Sequence, residues 1–175
     1  SLVRNAIAYS LAGKIMDYAP RVRMVEVVLN GDYKGVYLLT EKIKRDKNRV
    51  NIAKLTPESE DVSGGYIIKF DKGNPNEVGF TSFYPPIQGQ QQETRFLWHY
   101  PKAADVTTDQ FSYISNFIYE FEDVLKSDNF KDPINGYRKY IDVESFINFM
   151  FINEITRNVD GYRISSFMYK YLYFS

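Results

Sequence analysis

The sequence predicts an α+β domain: an antiparallel sheet combined with long helices. Three observations carry this. An Asn-Gly pair, Asn30-Gly31, separates two runs rich in Val, Leu and Tyr. Further short β-like runs follow, each bounded by Gly or Pro. Two long stretches with helical spacing of apolar residues then fill the C-terminal third. A helix, then gathered strands, then two long helices and a strand indicate α+β rather than alternating α/β order.

Leu2 to Asp17 has apolar residues at Leu2, Val3, Ala6, Ile7, Leu11, Ile15 and Met16, close to the spacing of an amphipathic helix. Pro20 stops its continuation. Val22 to Leu29 and Lys34 to Leu39 read as strands around Asn30-Gly31-Asp32. Asn-Gly accepts the positive φ angles of a tight hairpin turn, so this pair is expected to be a β-hairpin. Thr40 to Asn51 is polar and carries Lys42, Lys44, Arg45, Lys47 and Arg49. An acidic loop, Pro57 to Ser63, leads to Gly64-Gly65 and a strand over Tyr66 to Asp71. Gly73 to Glu77 reads as a turn, Val78 to Tyr84 as a strand ended by Pro85-Pro86, and Gln88 to Glu93 as a Gln-rich loop. Thr94 to Tyr100 is the next strand, closed by Pro101.

Thr107 and Gln110 have the spacing of a capping box, in which the two residues satisfy each other's free backbone N–H groups. The helix they open presents Phe111, Ile114, Phe117, Ile118 and Phe121. Asp142 can cap a second helix reaching about Thr156. That helix is apolar nearly all round and is therefore expected to be central. Arg157-Asn158-Val159-Asp160-Gly161 then connects to a strand over Tyr162 to Tyr169. Tyr171 to Ser175 reads as an unfinished strand, and the chain opens inside a helix, so the domain is expected to be truncated at both ends.

The 175 residues suit one domain, with a β-rich part over about 1–104 and a helical part over about 105–175. With 22 basic and 22 acidic residues the net charge is zero, which argues against nucleic acid or an anionic membrane as a whole-surface partner. No apolar run approaches the roughly 20 residues that span a bilayer. The chain has no cysteine and one histidine, His99. Disulfides, thiolate metal sites and multi-histidine sites are thereby excluded. The 15 Tyr, 13 Phe and single Trp are spread along strand and helix patterns, as core packing would place them.

Asp160 is the foremost candidate for chemistry. It lies on a short connection between a buried helix and a strand, beside Gly161, whose missing side chain permits unusual backbone geometry. A carboxylate there can orient a hydroxyl and accept its proton, as phosphoryl transfer requires. Asp-Gly is equally a common turn pair. The basic run from Lys42 to Arg49 can hold phosphates or be a solvated loop, partly balanced by Glu41 and Asp46. Gly64-Gly65 lacks a surrounding phosphate-loop pattern and reads as a strand-entry turn. His99 reads as a structural histidine.

Three segments carry a family resemblance. They are Val36-Tyr37-Leu38-Leu39-Thr40-Glu41-Lys42-Ile43 running into Asp46-Lys47-Asn48-Arg49-Val50-Asn51-Ile52, then Ser63-Gly64-Gly65-Tyr66-Ile67, then Ile152 to Arg163 through Asn158-Val159-Asp160-Gly161. With Arg4-Asn5-Ala6 and Tyr18-Ala19-Pro20-Arg21 in the same order, they resemble the CotH family, named after spore coat protein H. The resemblance covers most of the chain outside about 73–92. It implies an atypical, protein-kinase-like fold and transfer of the ATP γ-phosphate, with Mg²⁺, to Ser or Thr of secreted or cell-surface proteins. By resemblance Asp160 corresponds to the catalytic aspartate, and Glu41, Lys42 and Arg163 are expected at the nucleotide site. The family also has an upstream Arg-Gly-Asn-Ser-Ser-like motif with a phosphate-binding lysine and a downstream Trp-Asp-Phe-Asp-like motif whose aspartate holds the metal. Neither is in this sequence, so the chain alone is expected to be inactive, and its open edges are expected to favour homo-oligomers. Two other readings remain: a non-catalytic surface adhesion or coat-assembly domain, and a carbohydrate-binding module using Tyr residues and Trp98.

Overall fold

The computed structural model describes residues 2–72, 74, 76–84, 93–162 and 164–172. Its elements are helix α1 (Leu2–Ile15), strands β1 (Val22–Leu29), β2 (Asp32–Thr40), β3 (Tyr66–Phe70), β4 (Gly79–Thr81) and β5 (Arg95–Tyr100), helices α2 (Thr108–Lys126) and α3 (Val143–Thr156), and strand β6 (Ser166–Lys170). Short 3₁₀ turns cover Ala103–Asp105, Tyr137–Lys139 and Val159–Tyr162. The α+β expectation with antiparallel strands and long helices holds. The chain divides into two compact units, one of Ser1–Ile43 with Glu144–Val159 and one of Lys44–Val143 with Asp160–Ser175.

In the first unit, β1 and β2 form a two-stranded antiparallel sheet. Asn30 and Gly31 connect them with φ of 52° and 82°. Positive φ at both central residues is the turn geometry whose twist matches a hairpin, as the Asn-Gly pair predicts. An irregularity in register falls between Val27 and Val28, next to Gly35 at φ 99°. The α1 helix uses only part of the apolar stripe read from its sequence. Val3, Ile7 and Ile15 are exposed, Ala6, Leu11 and Met16 are half-buried, and Ala12 is buried. The expectation that α3 is central is also overturned. Phe146, Ile147, Met150, Phe151 and Ile155 are exposed, while Ile152, Asn153 and Thr156 are buried. Only one narrow stripe of this all-round apolar helix packs against its unit. Asn148 Nδ2 donates to the carbonyl of Ile15 at 2.8 Å, tying α3 to the end of α1.

In the second unit, four antiparallel strands lie in the order β4-β5-β3-β6. Alternate residues face α2. Tyr66, Ile68, Phe80, Phe96 and Trp98 from the sheet, Leu55 from the preceding loop and Ile114 and Ile118 from α2 form its apolar core. Aromatic rings interlock within it: Tyr66 and Trp98 meet edge-on at 5.9 Å, and Phe80 stacks on Phe96 at 5.1 Å. The Thr107–Gln110 capping box is present as expected. Gln110 is fully buried and also donates through Nε2 to the carbonyl of Thr56 at 2.6 Å. One side chain thus caps α2 and holds the loop that precedes β3.

Two strands, β4 and β6, depart furthest from the sequence expectation. β4 covers only Gly79–Thr81; beyond it the Ser82 N–H still donates to the Thr94 carbonyl at 2.9 Å, while its hydroxyl turns onto the Tyr84 carbonyl at 3.0 Å. β6 begins at Ser166 rather than Tyr162, because Val159–Tyr162 winds into a 3₁₀ turn first. The Pro85-Pro86 pair, most of the Gln-rich stretch and the last residues of the expected C-terminal strand lie outside the described residues.

Candidate functional site

Asp160 sits where its sequence position suggests, on the short 3₁₀ turn between α3 and β6. It is exposed, whereas its neighbour Gly161 is buried. The turn is closed by its own backbone: the Asp160 carbonyl accepts from the Ile164 N–H at 2.8 Å. The Gly161 carbonyl accepts from the Ser166 hydroxyl, and the Ile164 carbonyl lies 3.4 Å from the same oxygen. The unusual φ angles expected at Gly161 belong instead to Arg157 and Ser165, at 52° and 57°. Non-glycine residues in this left-handed region persist where surrounding bonds hold them there.

On the helix side, Asn153 is buried in α3 and organises the chain that leaves it. Its side-chain amide donates to Phe149 O at 2.9 Å and its Oδ1 accepts from Asn158 Nδ2 at 2.8 Å. Its backbone carbonyl accepts from the Asn158 N–H at 2.8 Å. The end of α3 is therefore capped by a side-chain and backbone bridge, which satisfies carbonyl groups a helix end leaves free.

Glu41 follows β2 and is almost fully enclosed, with 9 % of its side chain exposed. Arg21, before β1, grips it with both ends of the guanidinium: Nε to Oε2 at 3.1 Å and Nη2 to Oε1 at 2.5 Å. The Glu41 N–H closes the pair onto the Arg21 carbonyl at 2.9 Å. Such a forked pair fixes geometry as well as charge. It locks the open end of the hairpin. Lys42 is exposed beside it. Arg163 lies outside the described residues.

The basic run is a closed turn. Asp46 accepts from the Asn48 N–H at 2.9 Å, the Asp46 N–H reaches Val50 O at 3.1 Å, and Arg45 Nε donates to Ile52 O at 3.1 Å. The Asn48 N–H, with smaller help from Lys44, Arg49 and Lys47, holds the Asp46 carboxyl below its ordinary range. Val50 and Ile52 are buried and anchor the turn. Gly64-Gly65 is a strand-entry turn as read from the sequence. Gly65 has φ 88°, and a side chain on Gly64 would collide with the Leu172 backbone at 2.3 Å. His99 meets Phe167 edge-on at 4.9 Å. Trp98 is 6 % exposed and belongs to the core, so the sugar-platform reading of this residue is incorrect.

Two ionisable groups escaped sequence reasoning because distant chain segments create their settings. Lys170, at the end of β6, is buried and donates to Ser63 O at 2.5 Å. Its ammonium lies over the rings of Phe117 and Tyr113, 4.6 and 5.4 Å from their centroids. Burial pushes it down to about 8, against a smaller opposing pull from Asp61. Glu122 of α2 accepts from the Ser82 hydroxyl at 2.5 Å, while its other oxygen is buried without a hydrogen bond. Burial pushes its carboxyl up, offset by Ser82 and reinforced by Asp123.

The structure thus describes an α+β chain with an exposed carboxylate, Asp160, on the short turn between α3 and β6. The family model for CotH kinase protein matches residues 1–173, and the chain belongs to that family. Its function is accordingly kinase-like. A kinase family implies ATP and a divalent metal; among the described residues no group of three or more His, Cys, Asp or Glu side chains forms a metal site. The residues described therefore do not assign the ligands of such an ion. Neither the curated proteins nor the solved structures compared gave a match. Among the described residues no helix is long and apolar enough to cross a membrane.

Proposed function

We propose that this chain belongs to a CotH-type kinase domain, and that this domain transfers the γ-phosphate of ATP to Ser or Thr hydroxyls of secreted or cell-surface proteins, with Mg²⁺ as the divalent ion. Asp160 is the catalytic carboxylate of this reading. It hydrogen-bonds the acceptor hydroxyl and takes its proton as the oxygen bonds to the γ-phosphorus and the bond to the β–γ bridging oxygen breaks, releasing ADP. The observation that carries the reading is the exposed Asp160 on a braced turn in a chain of a kinase family. In the same reading Glu41, held by Arg21, Lys42 and Arg163 are the residues that serve the nucleotide.

Phosphoryl transfer is mostly positioning and charge stabilisation, so removing the orienting carboxylate has a large effect. Asp160→Ala in the intact protein is expected to lower transfer of labelled phosphate from ATP to protein by about 10²–10⁴-fold, the usual contribution of a positioned acid or base. The melting temperature of the same variant separates a loss of transfer from a loss of fold. Undiminished transfer would remove Asp160 from the mechanism.

A further inference from the structure

We infer that Ser166 is a positioning residue for Asp160: its hydroxyl ties the turn that carries the carboxylate to the first residue of β6. The inference rests on the reading of Asp160 given above and deepens it.

An exposed carboxylate is useful in proton transfer only if its backbone is held, since displacement by about 1 Å can cost roughly 10²-fold in rate. The Asp160 turn is short, and one of its backbone ties is the bond from the Ile164 N–H to the Asp160 carbonyl at 2.8 Å. The next carbonyl, that of buried Gly161, points at the Ser166 hydroxyl and accepts from it. Ser166 itself is fixed by the sheet, where it pairs with Phe70 of β3. Its hydroxyl therefore links the turn directly to the sheet.

The residue before it sharpens the point. Ser165 has φ 57°, a conformation that costs a side-chain-bearing residue and needs external restraint. The sharp reversal there brings the Ser166 Oγ back over the turn, within 3.4 Å of the Ile164 carbonyl as well as bonded to Gly161. A β-strand would start equally well with Val or Ile at this place. Ser supplies the donor those residues lack, and Thr would supply it with a β-branched side chain suited to a strand.

The test compares Asp160→Ala, Ser166→Ala and Ser166→Thr in the intact protein, with labelled ATP as the probe. Three quantities are read: kcat, KM for ATP, and amide exchange at Ile164. Ser166→Ala is expected to lower kcat by about 10- to 100-fold, leave KM for ATP unchanged and speed exchange at Ile164. Ser166→Thr is expected to restore all three to within a few fold. Should Ser166→Ala fail to fold, Ser166→Cys keeps the volume with only a weak donor and is judged by the same criteria. Wild-type kcat in the hydroxyl-deficient variant, with Asp160→Ala inactive, overturns the role of Ser166 alone. An equal loss in the Thr variant also overturns it, since the hydroxyl would then not be what matters. Full activity of Asp160→Ala overturns the parent reading and this inference with it. The three failures are thus distinguishable.

Discussion

The two long helices α2 and α3 form an instructive contrast. Both are rich in large apolar residues, and α3 is the more uniformly apolar in sequence. Yet α2 is the one that makes a core. Its Ile114 and Ile118 lie one turn apart against the four-stranded sheet, while its opposite face carries Glu120, Asp123 and other polar side chains. In α3 the polar residues Asn153 and Thr156 are buried, and Ile147, Phe151 and Ile155 are exposed. Hydrophobicity therefore does not by itself place a helix in a core; a matching sheet face does. What α3 contributes instead is an end: its buried Asn153 shapes the exit that leads towards Asp160.

The largest effects should separate the two helices. Ile118→Ala is expected to cost about 3 kcal/mol, the sum of lost transfer energy and an unfilled cavity. Ile147→Ala, at 44 % exposure, is expected to fall within about 0.5 kcal/mol of neutral. Urea unfolding of the two variants measures both. Equal costs would break the contrast, because Ile147 would then have to be covered.

Two glycines sharpen the same comparison between the sheet unit and the hairpin unit. Gly64→Ala puts a methyl group into the Leu172 backbone, an overpacking clash that backbone atoms cannot rotate away from, and should cost about 2 kcal/mol. Gly31 in the hairpin turn has φ 82° but open space around it, so Gly31→Ala should cost only the backbone term of about 1 kcal/mol. Thermal melts of both variants give the order. A reversed order would mean that the β3 entry is looser than its contacts indicate.

What could be read from the sequence was local. The Asn30-Gly31 turn needs two adjacent residues, the Thr107–Gln110 box needs four, and both formed as read. Asp160 likewise lies between a helix and a strand because its neighbours encode both. The features that escaped depend on segments far apart in sequence. Ser63 receives the Lys170 ammonium across 107 positions, and Gln110 reaches Thr56 across 54. No periodicity announces such pairs. The reach of Ser166 to Gly161 is only five residues, but it depends on a reversal at Ser165 that alternation of polar and apolar residues does not encode. The exposure of α3 was missed for a related reason: hydropathy reports what a helix can bury, not what is present to cover it.

A last expected effect concerns pH, and it again sets the sheet unit against the hairpin. Lys170 is buried and pushed down to about 8 in the folded chain, against an ordinary value of 10.5. Between those values the unfolded chain binds more protons than the folded one. Stability should therefore rise with pH above about 8, because deprotonation relieves the cost of a buried ammonium. One group can tilt stability by at most about 1.4 kcal/mol per pH unit. Urea unfolding between about pH 7.5 and 9.5, below the ordinary range of tyrosine ionisation, is the suitable window. Lys170→Met should flatten the rise by removing the titrating group. Lys34→Met is the control, since Lys34 lies exposed on the hairpin beside Asp32. A rise that persists in Lys170→Met would show that another group carries it, and that the carbonyl of Ser63 and the rings of Phe117 and Tyr113 stabilise the ammonium enough to offset its burial.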